Sequence, residues 1–157
     1  MAEIAMVKAI RKVAGAVHDK ILARRKPNLK FPLRSLQNVR YRPQIGFFEL
    51  LGKMKERTLT VGTVKTFAQT LRMMSLSKNL VETDDIATKR EAYYVSKNWG
   101  EARFDEQPES DQVMEDIEAL FRVNREQIGF IPEEKGGEVA GKLVVLDKDR
   151  DTGKTLR

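Results

Sequence analysis

The chain has no cysteine among its 157 residues. That absence excludes disulfides, thiolate zinc sites and cysteine nucleophiles, though it leaves the compartment open. A single histidine, His18, excludes a multi-histidine metal site and speaks against a Ser-His-Asp arrangement. No apolar run approaches the roughly 20 residues that a membrane-spanning helix needs. Pro-, Gly- or Ser-rich linkers and internal repeats are missing. No G-x-x-x-x-G-K-[ST] loop occurs, so ATP hydrolysis is not expected of these residues.

What is present suits one domain of ordinary size, or one domain plus an arm: 41% of residues are apolar and 33% charged. The net charge of +6 conceals an asymmetry. Residues 1–60 hold 14 Lys+Arg against 4 Asp+Glu, and the remainder 15 against 19. A basic front half suits a polyanionic partner.

Met1 to Lys26 reads as one amphipathic helix, with Ile4, Val7, Ile10, Ala14, Val17 and Ile21 at spacings of three and four. Pro27 ends it. The segment is poor in acids, but it has no serine, which speaks against a transit peptide. Its apolar row packs either on its own domain or on a partner. Val39-Arg40-Tyr41-Arg42 alternates, placing Val39 and Tyr41 inward and both arginines outward on a strand. Arg57 to Thr60 reads as a second short strand. Arg34, Arg40, Arg42 and Lys53 are candidate phosphate contacts.

A helix is expected from Thr63 to about Ser77, another from Lys89, and a third opening near Ser110, with Val113, Met114, Ile117, Leu120 and Phe121 as its buried stripe. Ile128 to Glu133 and Val139 to Leu146, separated by Lys135-Gly136-Gly137, read as a hairpin. Three helices followed by a hairpin is the order of a winged-helix (CAP-like) domain, an α+β fold. The 99–109 connection exceeds the roughly 3–4 residues of a tight helix-turn-helix, so a variant is expected. Asp147, Asp149 and Asp151 imitate a calcium loop. Thr152 stands where such a loop needs glycine, so a hairpin turn is the better reading.

The stretch with the most chemistry is Thr88 to Trp99. Thr88 and Glu91 form a capping box that starts a helix at Lys89. Tyr93 and Tyr94 then point about 100° apart and cannot share a role. Arg90 lies four residues before Tyr94 and Lys97 three after, which places both cations on the Tyr94 face. A phenol flanked by cations near a helix N-terminus can hold a phosphate. From spacing alone, a tyrosine pair packed into the core explains the pattern as well.

The runs ATKREAYYVSKNW and FDEQPESD, with FPLRSLQNVRY, RTLTVGTVKTFAQTLRMM, DQVMEDIEAL and GGEVAGKLVVLDKD around them, resemble the A subunits of archaeal DNA topoisomerase VI, in the type IIB family. The resemblance covers roughly Phe31 to the C-terminus. It implies Tyr94 as the nucleophile that forms a 5′-phosphotyrosyl bond and Arg90 as the group bracing the phosphate. From the basic residues themselves, Lys97, Arg34, Arg40, Arg42 and Lys135 are the expected DNA contacts. The organisation expected is a partner-docking helix (1–30), a small β or irregular segment (31–62), the tyrosine-bearing winged helix (63–146), and the start of a connection to a metal-binding Toprim domain (147–157). That domain, absent or only begun here, would supply the Mg2+ site; no metal ligand is expected within the chain.

The implied partners are double-stranded DNA, a second A subunit in an A2B2 assembly, and the ATP-binding B subunit, met through the N-terminal helix. No membrane partner is expected, and the place expected is the cytoplasm, on an archaeal-type nucleoid. The alternative from residues alone is a non-catalytic winged-helix DNA binder or a regulatory module that occupies the B subunit.

Overall fold

The structure is a computed structural model that describes residues 2–131, 147–148 and 155–156. Helix α1 (Ala2–Leu22) is followed by strand β1 (Asn28–Pro32), a ribbon of β2 (Val39–Arg42) and β3 (Phe47–Leu50), and β4 (Met54–Thr58). Then come helix α2 (Val64–Thr83), strand β5 (Ala87–Thr88), helices α3 (Lys89–Ser96) and α4 (Gln107–Phe121), and strand β6 (Phe130–Ile131). Strands β7 (Asp147–Lys148) and β8 (Thr155–Leu156) pair antiparallel. Among the described residues the fold is mixed helix and strand, with four α-helices and small two-stranded sheets. The hairpin expected across Lys135-Gly136-Gly137 lies outside the described residues, as does Val144 to Leu146. The strand that β8 meets is Asp147–Lys148.

Helix α1 buries Met6, Ile10 and Val17, with Val13 partly covered. The spacing of four, three and four is one face of an α-helix. Met6 and Ile10 enter the main core with Met73, Met74 and Leu80 of α2 and Met114 and Ile117 of α4. Val17 joins Leu29, Phe31 and Phe67 in a second cluster. This corrects the expectation that the row is open to a partner: Ile10 and Val17 are 3% and 4% exposed within the chain itself. Ile21, by contrast, lies half exposed at the end of the helix.

Helix α2 runs about two turns past Ser77, because Ser77, Leu80 and Val81 continue its buried side and nothing breaks the helix before Asp84, which caps it in the left-handed region at φ 54°. The hydroxyl of Ser77 donates to the Ile128 carbonyl at 2.8 Å, tying α2 to the turn before β6. That turn needs Gly129: its φ is +81°, and a Cβ there would sit 2.7 Å from the Cβ of Leu80. Helix α4 opens at Gln107 with Pro108 in its first turn, a position that needs no N–H donor.

Strand β1 pairs antiparallel with β4, turning Leu29 and Phe31 inward. The Arg57 guanidinium of β4 lies 4.9 Å from the Phe31 ring centroid. It donates to Thr70 Oγ1 at 2.9 Å and pairs with Asp116 at 2.6 Å, knitting β4 to α2 and α4. The β2–β3 ribbon departs from expectation. Tyr41 is not inward but half exposed, with its cross-strand neighbour Phe48, itself exposed, 5.1 Å away.

Candidate active site

The cap of α3 is formed as its sequence implies. The Glu91 N–H donates to Thr88 Oγ1 at 3.1 Å, and the Thr88 N–H donates to the Glu91 carboxylate at 2.6 Å. With Ala92 and Ser96 buried beneath it, α3 is held in a single rotation. Lys89 adds a 3.0 Å ion pair to Asp111 of α4.

That rotation separates the two tyrosines. Tyr94 is 53% exposed, and Arg90 Nε donates to its phenolic oxygen at 3.3 Å, with the guanidinium carbon 5.7 Å from the ring centroid. Tyr93 is half-buried against the main core, and its hydroxyl donates to the Asp105 carbonyl at 3.0 Å. The rings are 5.5 Å apart and tilted by 49°. A solvent-facing phenol with a cation on its oxygen can receive a phosphate; a phenol already donating into the fold cannot do so without losing that bond.

Lys97 does not join Arg90 on the Tyr94 face, which corrects that expectation. Its ammonium sits 4.0 Å from the Tyr93 ring centroid and donates to the Phe104 carbonyl at 2.7 Å. Lys97 is four residues from Tyr93 and three from Tyr94, and the carbonyls beyond α3 decide between them. The segment 103–105 collects more than this. Gln69, buried on α2, donates to the Arg103 carbonyl at 3.0 Å, and Lys65 pairs with Asp105. That hydrogen bond from Lys65, with its charge, holds the Asp105 carboxyl below its ordinary range. Sequence reasoning missed Gln69, Lys65 and Asp105 as the frame of α3. Their sequence signal was membership of two of the resembling runs, RTLTVGTVKTFAQTLRMM for Lys65 and Gln69 and FDEQPESD for Asp105.

Of the other expected contacts, Arg34 is paired with Glu115 at 3.1 Å and Arg42 with Glu49 at 2.6 Å. Arg40 is exposed and makes no ion pair among the described residues. Lys135 lies outside them. Arg24, Arg25 and Lys26, exposed just past α1, form a cationic cluster not singled out from the sequence.

With the tyrosine pair placed, comparison with known proteins decides the family. The model of the type IIB DNA topoisomerase family matches residues 65–130, from α2 through β6. This chain belongs to the type IIB DNA topoisomerase family. It is 49% identical over 146 residues to the A subunit of type 2 DNA topoisomerase 6 from Methanocaldococcus jannaschii, covering 93% of the chain and 39% of that protein. The protein of the same name from Methanothermobacter thermautotrophicus is 34% identical over 148 residues, covering 94% and 41%. That of Archaeoglobus fulgidus is 31% identical over 147 residues, covering 92% and 40%. The chain therefore spans about two fifths of the length of these relatives. Tyr94 and Arg90 both fall within the family-matched segment.

A magnesium ion is implied by the family resemblance. Among the described residues no group of three or more His, Asp or Glu side chains could hold a metal ion. No helix among the described residues is long and apolar enough to cross a membrane.

Proposed function

We propose that the chain carries the DNA-cleaving tyrosine of a type IIB topoisomerase A subunit, with Tyr94 as nucleophile and Arg90 as its electrostatic partner. The observation that carries this reading is the exposed Tyr94 hydroxyl receiving the Arg90 Nε–H at 3.3 Å on a capped helix. In the reaction, Tyr94 Oη attacks a backbone phosphorus and the bond from phosphorus to the 3′ oxygen breaks. The phosphate stays on Tyr94 as a 5′-phosphotyrosyl ester, and overall the phenolic proton passes to the released 3′ oxygen. Attack by that 3′ hydroxyl reverses the step, one ester replacing another, so rejoining itself needs no ATP. Arg90 offsets charge that gathers on the phenolic oxygen and the phosphate in the transition state.

In the same reading α2, α3 and α4 are the helical trio of a winged-helix variant spanning 63–146. Packing of α4 on both α2 and α3 supports this. The fine division into a leading helix, a β segment, the winged helix and a connection to a Toprim domain belongs to the proposal, as do magnesium supplied by that domain and ATP bound by a B subunit. So do a second A subunit, duplex DNA as substrate and a place in the cytoplasm. A B subunit meeting α1 would do so on its exposed side, where Lys8 and Lys12 lie.

The test places this segment in a full-length A subunit with its B subunit, supercoiled DNA, ATP and magnesium. Denaturant should trap protein joined to DNA 5′ ends. Tyr94→Phe should abolish the adduct while leaving DNA affinity unchanged, Tyr93→Phe should retain it, and Arg90→Ala should slow its formation by about 100-fold, as for loss of one transition-state donor. An adduct that survives Tyr94→Phe refutes the assignment. A non-catalytic DNA binder would give no adduct at all.

A further inference from the structure

The β2–β3 ribbon gathers several exposed apolar side chains, and the tyrosine site makes no use of them. Its tip is the four-residue loop Pro43-Gln44-Ile45-Gly46. Gly46, at φ +68°, turns its N–H back to the Arg42 carbonyl at 2.9 Å. Ile45 is 61% exposed, Phe47 70% and Phe48 74%. The ribbon pairs with no other strand among the described residues. Solvent-facing aromatic clusters of this kind mark contact surfaces.

The base of the ribbon is nevertheless firmly set. Asn38 is fully buried. Its amide donates to the carbonyls of Leu33 at 2.6 Å and Lys53 at 3.1 Å, and its side-chain oxygen accepts the Lys53 N–H at 3.1 Å. Its backbone carbonyl accepts the Leu51 N–H at 2.7 Å. A buried amide satisfied on every side fixes the angle at which the ribbon leaves β1 and β4. A pre-set arm with an apolar tip is an interacting element rather than a loose loop.

Charge decides what it interacts with. Residues 34–57 hold six Lys or Arg and two Glu. Arg40 and Lys53 make no ion pair among the described residues, and Lys55 and Arg57 share the single carboxylate of Asp116. The surplus is cationic: Arg40 stands on the ribbon itself and Lys53 at its base. Ribbons of two strands enter DNA grooves, and apolar wedges flanked by cations part base steps and bend the duplex.

We propose that the β2–β3 ribbon is a second duplex-DNA contact, an arm whose apolar tip wedges into a groove and bends the helix axis while Arg40 and Lys53 hold adjoining phosphates. The inference rests on duplex DNA as the partner but not on Tyr94 as nucleophile, since Tyr94 stands on a different element.

The test uses the 157-residue chain and a 30-base-pair duplex carrying a fluorophore pair at its ends and 2-aminopurine within. Binding should shorten the end-to-end distance and raise 2-aminopurine fluorescence. The double variant Ile45→Ser, Phe48→Ser changes only well-exposed side chains, so its circular dichroism and melting should match the parent. It should lose both signals and bind at least fivefold more weakly. Arg40→Ala with Lys53→Ala should weaken binding and reduce the salt slope by about 0.9 for each phosphate no longer neutralised. None of these readings needs a covalent adduct, which keeps this test separate from the adduct assay. Binding without bending or unstacking overturns the proposal, and so does undiminished bending by the folded double variant. A double variant that instead loses self-association in sedimentation, with bending intact, assigns the ribbon to contact between copies of the chain and likewise overturns it.

Discussion

Ile10 decides between two uses of the N-terminal helix. Its side chain is 3% exposed, packed in the core that also holds Met73 and Met74 of α2. Trimming such an isoleucine to alanine removes apolar contacts and leaves a cavity, at a cost of about 2–5 kcal/mol. A domain of this size is stable by roughly 5–15 kcal/mol, so Ile10→Ala should leave a folded but weakened chain. With a urea dependence of about 2 kcal/mol per molar, a loss near 3 kcal/mol lowers the unfolding midpoint by about 1.5 M. Ile10→Asp should go further, because a carboxylate there would be buried without a partner: the one arginine next to it in sequence, Arg11, is turned to Glu82 at 2.7 Å. Urea titration followed by far-ultraviolet circular dichroism measures all of this, with Lys12→Glu on the exposed side as a control expected within about 0.5 kcal/mol of the parent. An Ile10→Ala midpoint equal to that of the control refutes the reasoning. It would mean that α1 is undocked in solution and that its apolar row is open to a partner after all.

Two further outcomes follow from the ion pairs. Asp116→Ala removes the carboxylate facing Arg57, whose side chain is only 12% exposed, and should cost about 3–5 kcal/mol in urea unfolding; a loss below about 1 kcal/mol would show the pair to be peripheral. Asp105 is held below its ordinary range first by its hydrogen bond from Lys65. The folded state therefore binds a proton less readily than the unfolded chain, where an aspartate titrates near 3.9. Its stabilising contribution is complete above that value and is lost as pH falls through the lowered folded value. Lys65→Met should flatten this acid limb in a stability-against-pH series, and an unaltered limb would exclude the Lys65–Asp105 pair as its cause.

How much could be read from the sequence follows the range of the interactions involved. The α3 cap was legible because both of its hydrogen bonds join residues three apart, and the divergence of Tyr93 from Tyr94 because helical geometry alone sets it. The placement of Lys97 was not legible: spacing allowed either tyrosine, and the choice fell to carbonyls at Phe104 and Asp105 on the next turn of chain. The apolar period of α1 announced a buried face but could not say whose surface would cover it. Alternation in Val39 to Arg42 likewise gave Tyr41 a side of the ribbon without showing that this side is uncovered.

The same limit applies to the cations. A row of arginines in sequence reads as a phosphate footprint, but only the fold reveals that Glu115 engages Arg34 from α4, 81 positions further along, and that Glu49 engages Arg42 across the ribbon. Each of these must surrender a carboxylate before it can take a phosphate, so its gain on DNA is the difference between two ion pairs. Arg40 and Lys53 have no ion pair to surrender among the described residues. The electrostatic weight of any duplex contact on this half of the chain therefore shifts toward the ribbon and its base.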